Sequence, residues 1–281
     1  NTTFTYTDLY PGNSTRKLVR SEFNITHHYN KLGLRGVLPV VAKDSNEYRI
    51  VVLGDSFIEG DGAKENETLP VQLQELLSAR FPKKKISVIN AGISGSNPLY
   101  EIDIYERKLT KYQADLIILS VFPNDLSDIN IMQHQGNIPL QEYFSALSHL
   151  FRIVYFGILN YDNFELTDIP ESTSMRRMEI ITDLNHRIHT FRNSLSASRQ
   201  QLLIVYIPSK VELKAELIHN AYSKVLQKAL KPDVNLSDTF AARGINQYDS
   251  LPVYYWKNDA HFNPKGYKLA AEIIAQYITD K

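Results

Sequence analysis

A hydroxyl, a backbone glycine, a side-chain amide and an Asp/His pair stand in four short segments that could together carry out acyl transfer. The segments are Gly54-Asp55-Ser56-Phe57, Asn90-Ala91-Gly92-Ile93-Ser94-Gly95, Pro123-Asn124-Asp125 and Asp259-Ala260-His261. Acyl transfer needs a nucleophile, a base, a group that orients the base, and donors that stabilise an oxyanion. The four segments contain residue types suited to each of these roles, provided that the fold brings them together.

Each of the first three segments follows a continuous apolar run, which is typical of a buried parallel strand. The runs cover residues 49–53, 86–89, 116–121 and 202–206, with a shorter one near 234–236. In open α/β sheets, ligands bind outside the carboxyl ends of the strands. The sequence therefore predicts that the hydroxyl, the glycine and the amide converge on one edge of a sheet.

Helical patterns separate the apolar runs. Predicted helices cover about 69–81 and 174–197, and two more begin at Asn97-Pro98 and Asn263-Pro264, where Asn can cap the helix and Pro suits its first turn. Strand then helix, repeated, predicts an α/β fold with helices on both faces of a parallel sheet. Residues 1–47 show little periodicity and are predicted to be an arm packed on a domain of residues 48–281. An insertion is predicted at about 127–172, beside the site.

The four segments resemble the sequence blocks of the SGNH (GDSL) hydrolase superfamily, in the same order, over about residues 48–281. The matching residues are, in block order, Gly54-Asp55-Ser56, Gly95, Asn124, and Asp259 with His261. The resemblance implies a three-layer α/β/α flavodoxin-like fold with a parallel sheet of about five strands. It also implies a carboxylic ester hydrolase of the serine esterase type.

The resemblance assigns a role to each matching residue. Ser56 is implied to be the nucleophile, His261 the general base, and Asp259 the carboxylate that orients the imidazole. The implied oxyanion hole consists of the backbone N–H groups of Ser56 and Gly95 and the side-chain amide of Asn124. Neither a metal nor an organic cofactor is implied.

Two positions depart from the family pattern. The family often places its Asp three residues before the His, where this chain has Asn258, and we expect Asp259 to take that part instead. The family commonly has Gly two residues before the block-three Asn. Here that residue is Phe122, which is expected to narrow the pocket or to reshape the loop.

Composition restricts the partners. Lys+Arg and Asp+Glu both number 31 in the 281 residues, so the net charge is zero and no nucleic-acid partner is predicted. The absence of cysteine excludes disulfides and thiolate metal sites. No run of 18 apolar residues occurs, so the chain as given is not expected to span a membrane. Because it begins at Asn1 rather than Met, we expect a signal or membrane anchor upstream.

We expect an extracytoplasmic protein, periplasmic or exported. The stretch Asn30-Lys31-Leu32-Gly33-Leu34-Arg35-Gly36 resembles one that often precedes the Gly-Asp-Ser block in exported bacterial members of the superfamily. The expected partner is an acylated carbohydrate or a small ester.

Two pairs of histidines are candidate metal ligands. His186 and His189 lie three residues apart on a predicted helix, and a solvated or packed pair is the favoured interpretation. His27 and His28 lie in the arm and are expected at the surface. A third ligand is evident for neither pair.

Hydrolysis of acyl groups, above all acetyl groups, from a glycan or small ester is the favoured function. Transfer of the acyl group to a sugar hydroxyl is an alternative, because it would use the same residues. A non-catalytic glycan-binding or assembly protein is a third, although every block residue is present. A nucleotide binder is disfavoured, because neither a Gly-x-Gly-x-x-Gly nor a Walker loop follows the first strand.

Overall fold

A computed structural model describes residues 9–125, 129, 172–214, 220–245 and 250–281. The predicted insertion at about 127–172, apart from residues 129 and 172, lies outside the described residues. No helix within the described ranges is both long enough and apolar enough to cross a bilayer.

The described strands form two sheets. A short antiparallel hairpin pairs β1 (Thr15–Val19) with β2 (Asn24–His28). The strands of the second sheet, all parallel, are β3 (Glu47–Gly54), β4 (Lys85–Gly92), β5 (Leu116–Val121), β6 (Gln201–Tyr206) and β7 (Val234–Asn235). Their spatial order is β4-β3-β5-β6-β7. This is the flavodoxin-like order, so the predicted fold is confirmed.

Helices connect the parallel strands. In chain order they are α1 (Ser56–Glu59), α2 (Leu69–Arg80), α3 (Pro98–Ile104), α4 (Ser172–Ala197), α5 (Lys210–Lys214), α6 (Asn220–Leu230), α7 (Leu236–Ala242), α8 (Leu251–Tyr254) and α9 (Pro264–Asp280). Short 3₁₀ turns lie at Glu65–Glu67 and Thr110–Tyr112, and a π-helical turn at Tyr105–Leu109 extends α3.

Alternate residues of β3 separate the core into two layers. Ile50 and Val52 belong to the cluster that contains the apolar faces of α2 and α9. Val51 and Leu53 belong to the cluster that contains those of α3 and α4. All four side chains are fully buried, and each contributes about 1.5–3 kcal/mol by leaving water. The sheet is therefore covered on both faces, which gives the three-layer architecture.

Two of the predicted helix starts are explained by side-chain caps. The Asn97 side chain accepts hydrogen bonds from the N–H groups of Leu99 and Tyr100 at the start of α3. The Asn263 side chain accepts from Lys265 and Gly266 at the start of α9. In both helices Pro follows as the first residue, where its missing N–H costs nothing.

The arm contains regular structure that its sequence did not indicate. In each strand of the β1–β2 hairpin only one residue is buried, Leu18 in β1 and His27 in β2. A strand that buries only one residue shows no alternation of apolar and polar residues. The sequence of the arm therefore lacks the pattern by which a strand is predicted. A further isolated bridge pairs Tyr29 with Arg35.

Candidate active site

Ser56 lies on a tight turn between β3 and α1. The Asp55 side chain caps α1 by accepting the Phe57 N–H at 2.9 Å. A Cβ atom on Gly54 would lie 2.0 Å from Ser120 Oγ and 2.3 Å from Ile58 Cγ1, so only glycine fits there. The turn places a half-buried Ser56 at the carboxyl end of β3. β3 lies between β4 and β5, at the switch point where such sheets bind ligands.

The structure brings His261 and Asp259 to Ser56. His261 Nε2 lies 2.7 Å from Ser56 Oγ, and His261 Nδ1 lies 2.6 Å from Asp259 Oδ1. Asp259 Oδ1 also accepts the backbone N–H of His261 at 2.9 Å. The carboxylate that meets the ring Nδ1 of His261 is that of Asp259, whereas the backbone N–H of Asn258 donates to the carboxylate of Glu22 at 2.5 Å.

The acidic side chains around His261 determine its protonation. Burial lowers the pKa of His261, but the hydrogen bond and charge of Asp259, together with the charges of Asp61 and Asp55, raise the pKa above its ordinary value. Burial raises the pKa of Asp259, yet the hydrogen bonds from His261 bring it below the usual value. Burial raises the pKa of Asp55, the neighbour of Ser56, to about 6. Asp259 is therefore ionised, and the imidazole is a stronger base than free histidine.

An aromatic cluster supports the imidazole. The ring centroid of Phe57 lies 5.0 Å from that of His261, 4.5 Å from that of Phe122 and 5.1 Å from that of Phe262. Phe122 is only 7% exposed. Phe122 therefore packs against Phe57 next to the site, and its expected effect on the pocket or the loop stays a prediction.

The glycine expected to donate to an oxyanion lies in the loop after β4. Gly95 is exposed and has a φ of 79°, a conformation that favours glycine. A Cβ atom added there would meet no atom within 4 Å. The preceding Ser94 N–H donates to Glu59 Oε2 at 2.6 Å, which ties this loop to α1.

Asn124 lies in a turn after β5. The Asp125 side chain accepts the Phe122 N–H at 2.8 Å, and the Asp125 N–H donates to the Phe122 carbonyl at 3.1 Å. Asp125 thus stabilises the turn. Ser56, Gly95 and Asn124 follow three strands that are neighbours in the sheet, so the residues expected to donate lie at one edge.

The buried carboxylate of Glu59 is a feature of the site that sequence reasoning missed. Oε1 accepts from Tyr29 Oη at 2.6 Å and pairs with His27 Nδ1 at 2.9 Å, and Oε2 accepts from Tyr10 Oη at 3.2 Å. Burial raises the pKa of Glu59, but the hydrogen bonds from His27 and Tyr29, with that of the Ser94 N–H, bring it below its usual value.

His28 is exposed, whereas His27 is fully buried, so the expectation that both lie at the surface was wrong for His27. His27 is a single buried polar residue in the arm, and one such residue produces no periodic pattern in the sequence from which its burial could be predicted.

His27, Glu59 and Asp61 could in principle hold a cation, because their ligand atoms all lie within 4.8 Å of one another. The oxygens of Glu59, however, already accept the hydrogen bonds just described. Arg16 Nη1 lies 3.6 Å from Glu59 Oε1 and supplies positive charge there. The geometry therefore fits a hydrogen-bonded ion cluster better than a metal centre.

His186 and His189, the other histidine pair, are exposed on α4, which agrees with the expectation of a solvated pair.

The chain is similar to proteins of one family. Residues 52–269 match the GDSL-like lipase/acylhydrolase family. A solved acetyl xylan esterase, AlAXEase, is 16% identical with a TM-score of 0.51, over 82% of this chain and 99% of that one. A two-domain esterase active on acetylated mannans is 18% identical with a TM-score of 0.49, over 84% of this chain and 50% of that one. At 16% identity the acetyl xylan esterase shows a shared fold.

One curated relative is also similar. A stretch of 114 residues is 25% identical to an uncharacterised protein of Mycoplasma pneumoniae, and it covers 40% of this chain and 12% of that protein. The family match is much longer and includes every segment of the site. The chain spans only part of the first of these relatives, but the family match covers most of this chain, so the chain belongs to the GDSL-like lipase/acylhydrolase family.

Proposed function

We propose that this chain is a serine esterase that removes ester-linked acyl groups, above all acetyl groups, from a carbohydrate. In this proposal Ser56 is the nucleophile, His261 the general base and Asp259 the residue that orients it. The observation that carries the proposal is the continuous chain of contacts from Ser56 Oγ through His261 to Asp259, at 2.7 Å and 2.6 Å. A nucleophile, a base and an orienting carboxylate at these distances are what acyl transfer requires.

In the first half of the reaction, His261 Nε2 accepts the Ser56 hydroxyl proton while Oγ attacks the ester carbonyl carbon. The carbonyl π electrons move to oxygen, and the backbone N–H groups of Ser56 and Gly95 and the amide of Asn124 donate hydrogen bonds to this oxyanion. The intermediate collapses, the bond to the alcohol breaks, and the imidazolium gives its proton to the leaving alkoxide. Ser56 then carries the acyl group as an ester.

In the second half, a water molecule attacks the acyl-Ser56 carbonyl while His261 accepts a proton from the water. Collapse of the second intermediate releases the carboxylic acid and returns the proton to Ser56 Oγ. Asp259 stays ionised throughout and stabilises the imidazolium that forms twice.

An acetylated carbohydrate is the substrate that we propose to test first. The fold is shared with an acetyl xylan esterase, and the family acts on acyl esters. The extracytoplasmic location that we expect would bring the enzyme to such polysaccharides. A sugar hydroxyl in place of water would resolve the same acyl-serine as a transferase.

Ser56→Ala tests the proposal. We expect turnover of p-nitrophenyl acetate to fall about 10³-fold or more, because the variant cannot form the acyl-serine. We expect the melting temperature to change by about 2 °C or less, because Ser56 is only half buried. Ser198→Ala, an exposed serine that precedes β6 at the opposite edge of the sheet, is the matched control and should behave as wild type.

The same assay is run with acetylated xylan oligosaccharides and with a free oligosaccharide as acceptor. Ser56-dependent release of acetate to water supports the esterase. A rate that rises with free oligosaccharide, accompanied by acetylated sugar, favours the transferase. Wild-type turnover in Ser56→Ala would contradict the assignment of the nucleophile.

A further inference from the structure

The loop that carries Asp259 and His261 has little regular structure. It lies between α8 and α9 and is closed by the bridge of Tyr255 to Phe262 and by the Trp256 N–H, which donates to the His261 carbonyl at 3.1 Å. Peptide groups outside helices and sheets take their hydrogen-bond partners from side chains or from water. Two distant side chains supply partners to this loop, one to its carbonyls and one to its amides.

Lys210 binds the carbonyls. It is the first residue of α5, and its Nζ donates to the carbonyl oxygens of Trp256 at 2.8 Å, Lys257 at 3.2 Å and Asp259 at 2.7 Å. An ammonium group has three donors. Three of its partners are thus carbonyls of one loop, and one of them belongs to Asp259 itself.

Glu22 binds the amides from the other side. It lies in the turn between β1 and β2, and its Oε1 accepts the Lys257 N–H at 2.8 Å while its Oε2 accepts the Asn258 N–H at 2.5 Å. Arg20 of the same turn lies 4.0 Å from Asp259 Oδ2. The hairpin of the arm therefore contacts the loop at the residues that precede His261.

We propose that Glu22 and Lys210 are positioning residues that together hold the loop so that Asp259 orients His261. We call the pair the Glu22–Lys210 clamp. The inference rests on the proposed function, which gives Asp259 and His261 their parts. It makes the N-terminal hairpin, which lies outside the residues matched to the family, a component of the active site.

In this proposal the clamp keeps Asp259 at hydrogen-bond distance from the His261 ring. A displacement of about 1 Å in an orienting group can cost about 100-fold in rate. Asp259 also raises the pKa of His261, together with Asp61 and Asp55. The charge of Arg20 helps to lower the pKa of Asp259. A loosened loop should therefore lower kcat and also lower the pKa of His261.

The test compares Glu22→Gln and Lys210→Met with the wild type, each as the chain of residues 1–281. Each oxygen of Glu22 accepts from a different N–H, and a glutamine can accept only one of the two bonds. Glu75→Gln in α2 and Lys268→Met in α9, both exposed, are the matched controls. Turnover of p-nitrophenyl acetate is measured against pH at about 0.1 M and about 1 M NaCl, and the His261 ring is titrated by NMR.

We expect kcat to fall about tenfold in Glu22→Gln and about 100-fold in Lys210→Met, with KM within about threefold of wild type. The acid limb of the kcat profile and the NMR titration of His261 should both move to lower pH. These changes should persist at about 1 M NaCl, where charges interact over only about 3 Å. The two controls should match wild type.

Wild-type kcat and an unshifted His261 titration in Glu22→Gln would overturn the clamp. A decrease in kcat that disappears at high salt would also overturn the clamp, because it would be caused by the charge of Glu22 and not by its hydrogen bonds. If Lys210→Met shows no cooperative melt, Glu22→Gln decides alone, since Glu22 is only partly buried. The NMR titration needs no turnover, so it tests the clamp even if Ser56→Ala disproves the proposed function.

Discussion

At the scale of single residues, one oxygen atom explains the spacing of the Asp/His pair. Asp259 Oδ1 accepts both the backbone N–H and the ring Nδ1 of His261, at 2.9 Å and 2.6 Å. An Asp side chain that bonds the N–H two residues on forms an Asx-turn. The turn brings the imidazole of the same residue within reach, so two residues of separation are sufficient where the family often has three.

This geometry predicts opposite outcomes at two adjacent positions. Asp259→Ala should lower kcat by about 10³–10⁴, because the imidazole loses the group that orients it and stabilises its charge. The acid limb of the pH profile should move to lower pH, because Asp259 raises the pKa of His261. The protonated, inactive form of His261 then persists only to a lower pH than in wild type. Kinetics across the pH range measure both effects.

Asn258→Ala is the neighbouring control. Its contact to Glu22 is made by the backbone N–H, which alanine keeps, so kcat should change by about threefold or less. A severe loss in Asn258→Ala with a mild one in Asp259→Ala would show that the wrong side chain was assigned to orient His261.

At the scale of elements, α1 packs directly against β4. A Cβ atom on Gly92 would lie 2.0 Å from the backbone N of Glu59, so glycine permits this approach. Glu59 in turn accepts the Ser94 N–H at 2.6 Å. The loop that carries Gly95 is therefore held by the same short helix that begins with Ser56, so one element positions two of the three expected oxyanion donors.

Gly95 and Gly244 provide a matched pair for testing this loop. Both have positive φ, 79° and 72°, and an added Cβ would meet no atom within 4 Å at either position. Each Gly→Ala change should therefore cost about 1 kcal/mol of stability. Only Gly95→Ala should also lower kcat, by about 10–100-fold, because the displaced N–H no longer stabilises the oxyanion.

Urea denaturation and p-nitrophenyl acetate turnover measure the two quantities for each variant. Equal activity in the two variants would remove Gly95 from the proposed oxyanion hole. A stability loss much larger for Gly95→Ala would instead assign that glycine to the packing of the loop.

At the scale of the whole molecule, the arm completes the interior of the domain. Arg35 is buried and donates to the carbonyl oxygens of Glu59 at 2.9 Å, Gly60 at 2.7 Å and Ala63 at 2.7 Å. Helix ends leave such carbonyls without partners inside the helix. The arm also supplies three of the side chains that contact the Glu59 carboxylate, namely Tyr10, His27 and Tyr29.

A chain of residues 47–281 should therefore fail to fold. Without the arm, the buried Glu59 carboxylate loses most of its partners, and an unpaired buried charge costs about 3–5 kcal/mol. We expect the shortened chain to show no cooperative thermal transition by circular dichroism, whereas the full chain does. A cooperative melt within about 5 °C of the full chain would show that the arm is dispensable for folding.

Much of the fold was predictable because it depends on local patterns. A buried parallel strand must be apolar along its whole length, and a helix start needs a cap, so β3 to β6 and the Asn97 and Asn263 caps stand out in the sequence. The segments around Ser56, Gly95 and Asn124 followed from the ends of those strands. The hairpin was not predictable, because its strands bury one residue each.

The sequence by itself determined the parallel α/β architecture, the family, and the candidate residues at the strand ends, since each of these is written in short stretches of neighbouring residues. Only the tertiary structure decided which carboxylate meets His261, that His27 is buried against Glu59, and that Glu22 and Lys210 bind the loop of Asp259. Those contacts join residues up to 236 positions apart. A polar side chain shows its partner only when folding has brought the two together, because hydrogen bonds leave no periodic pattern along the chain.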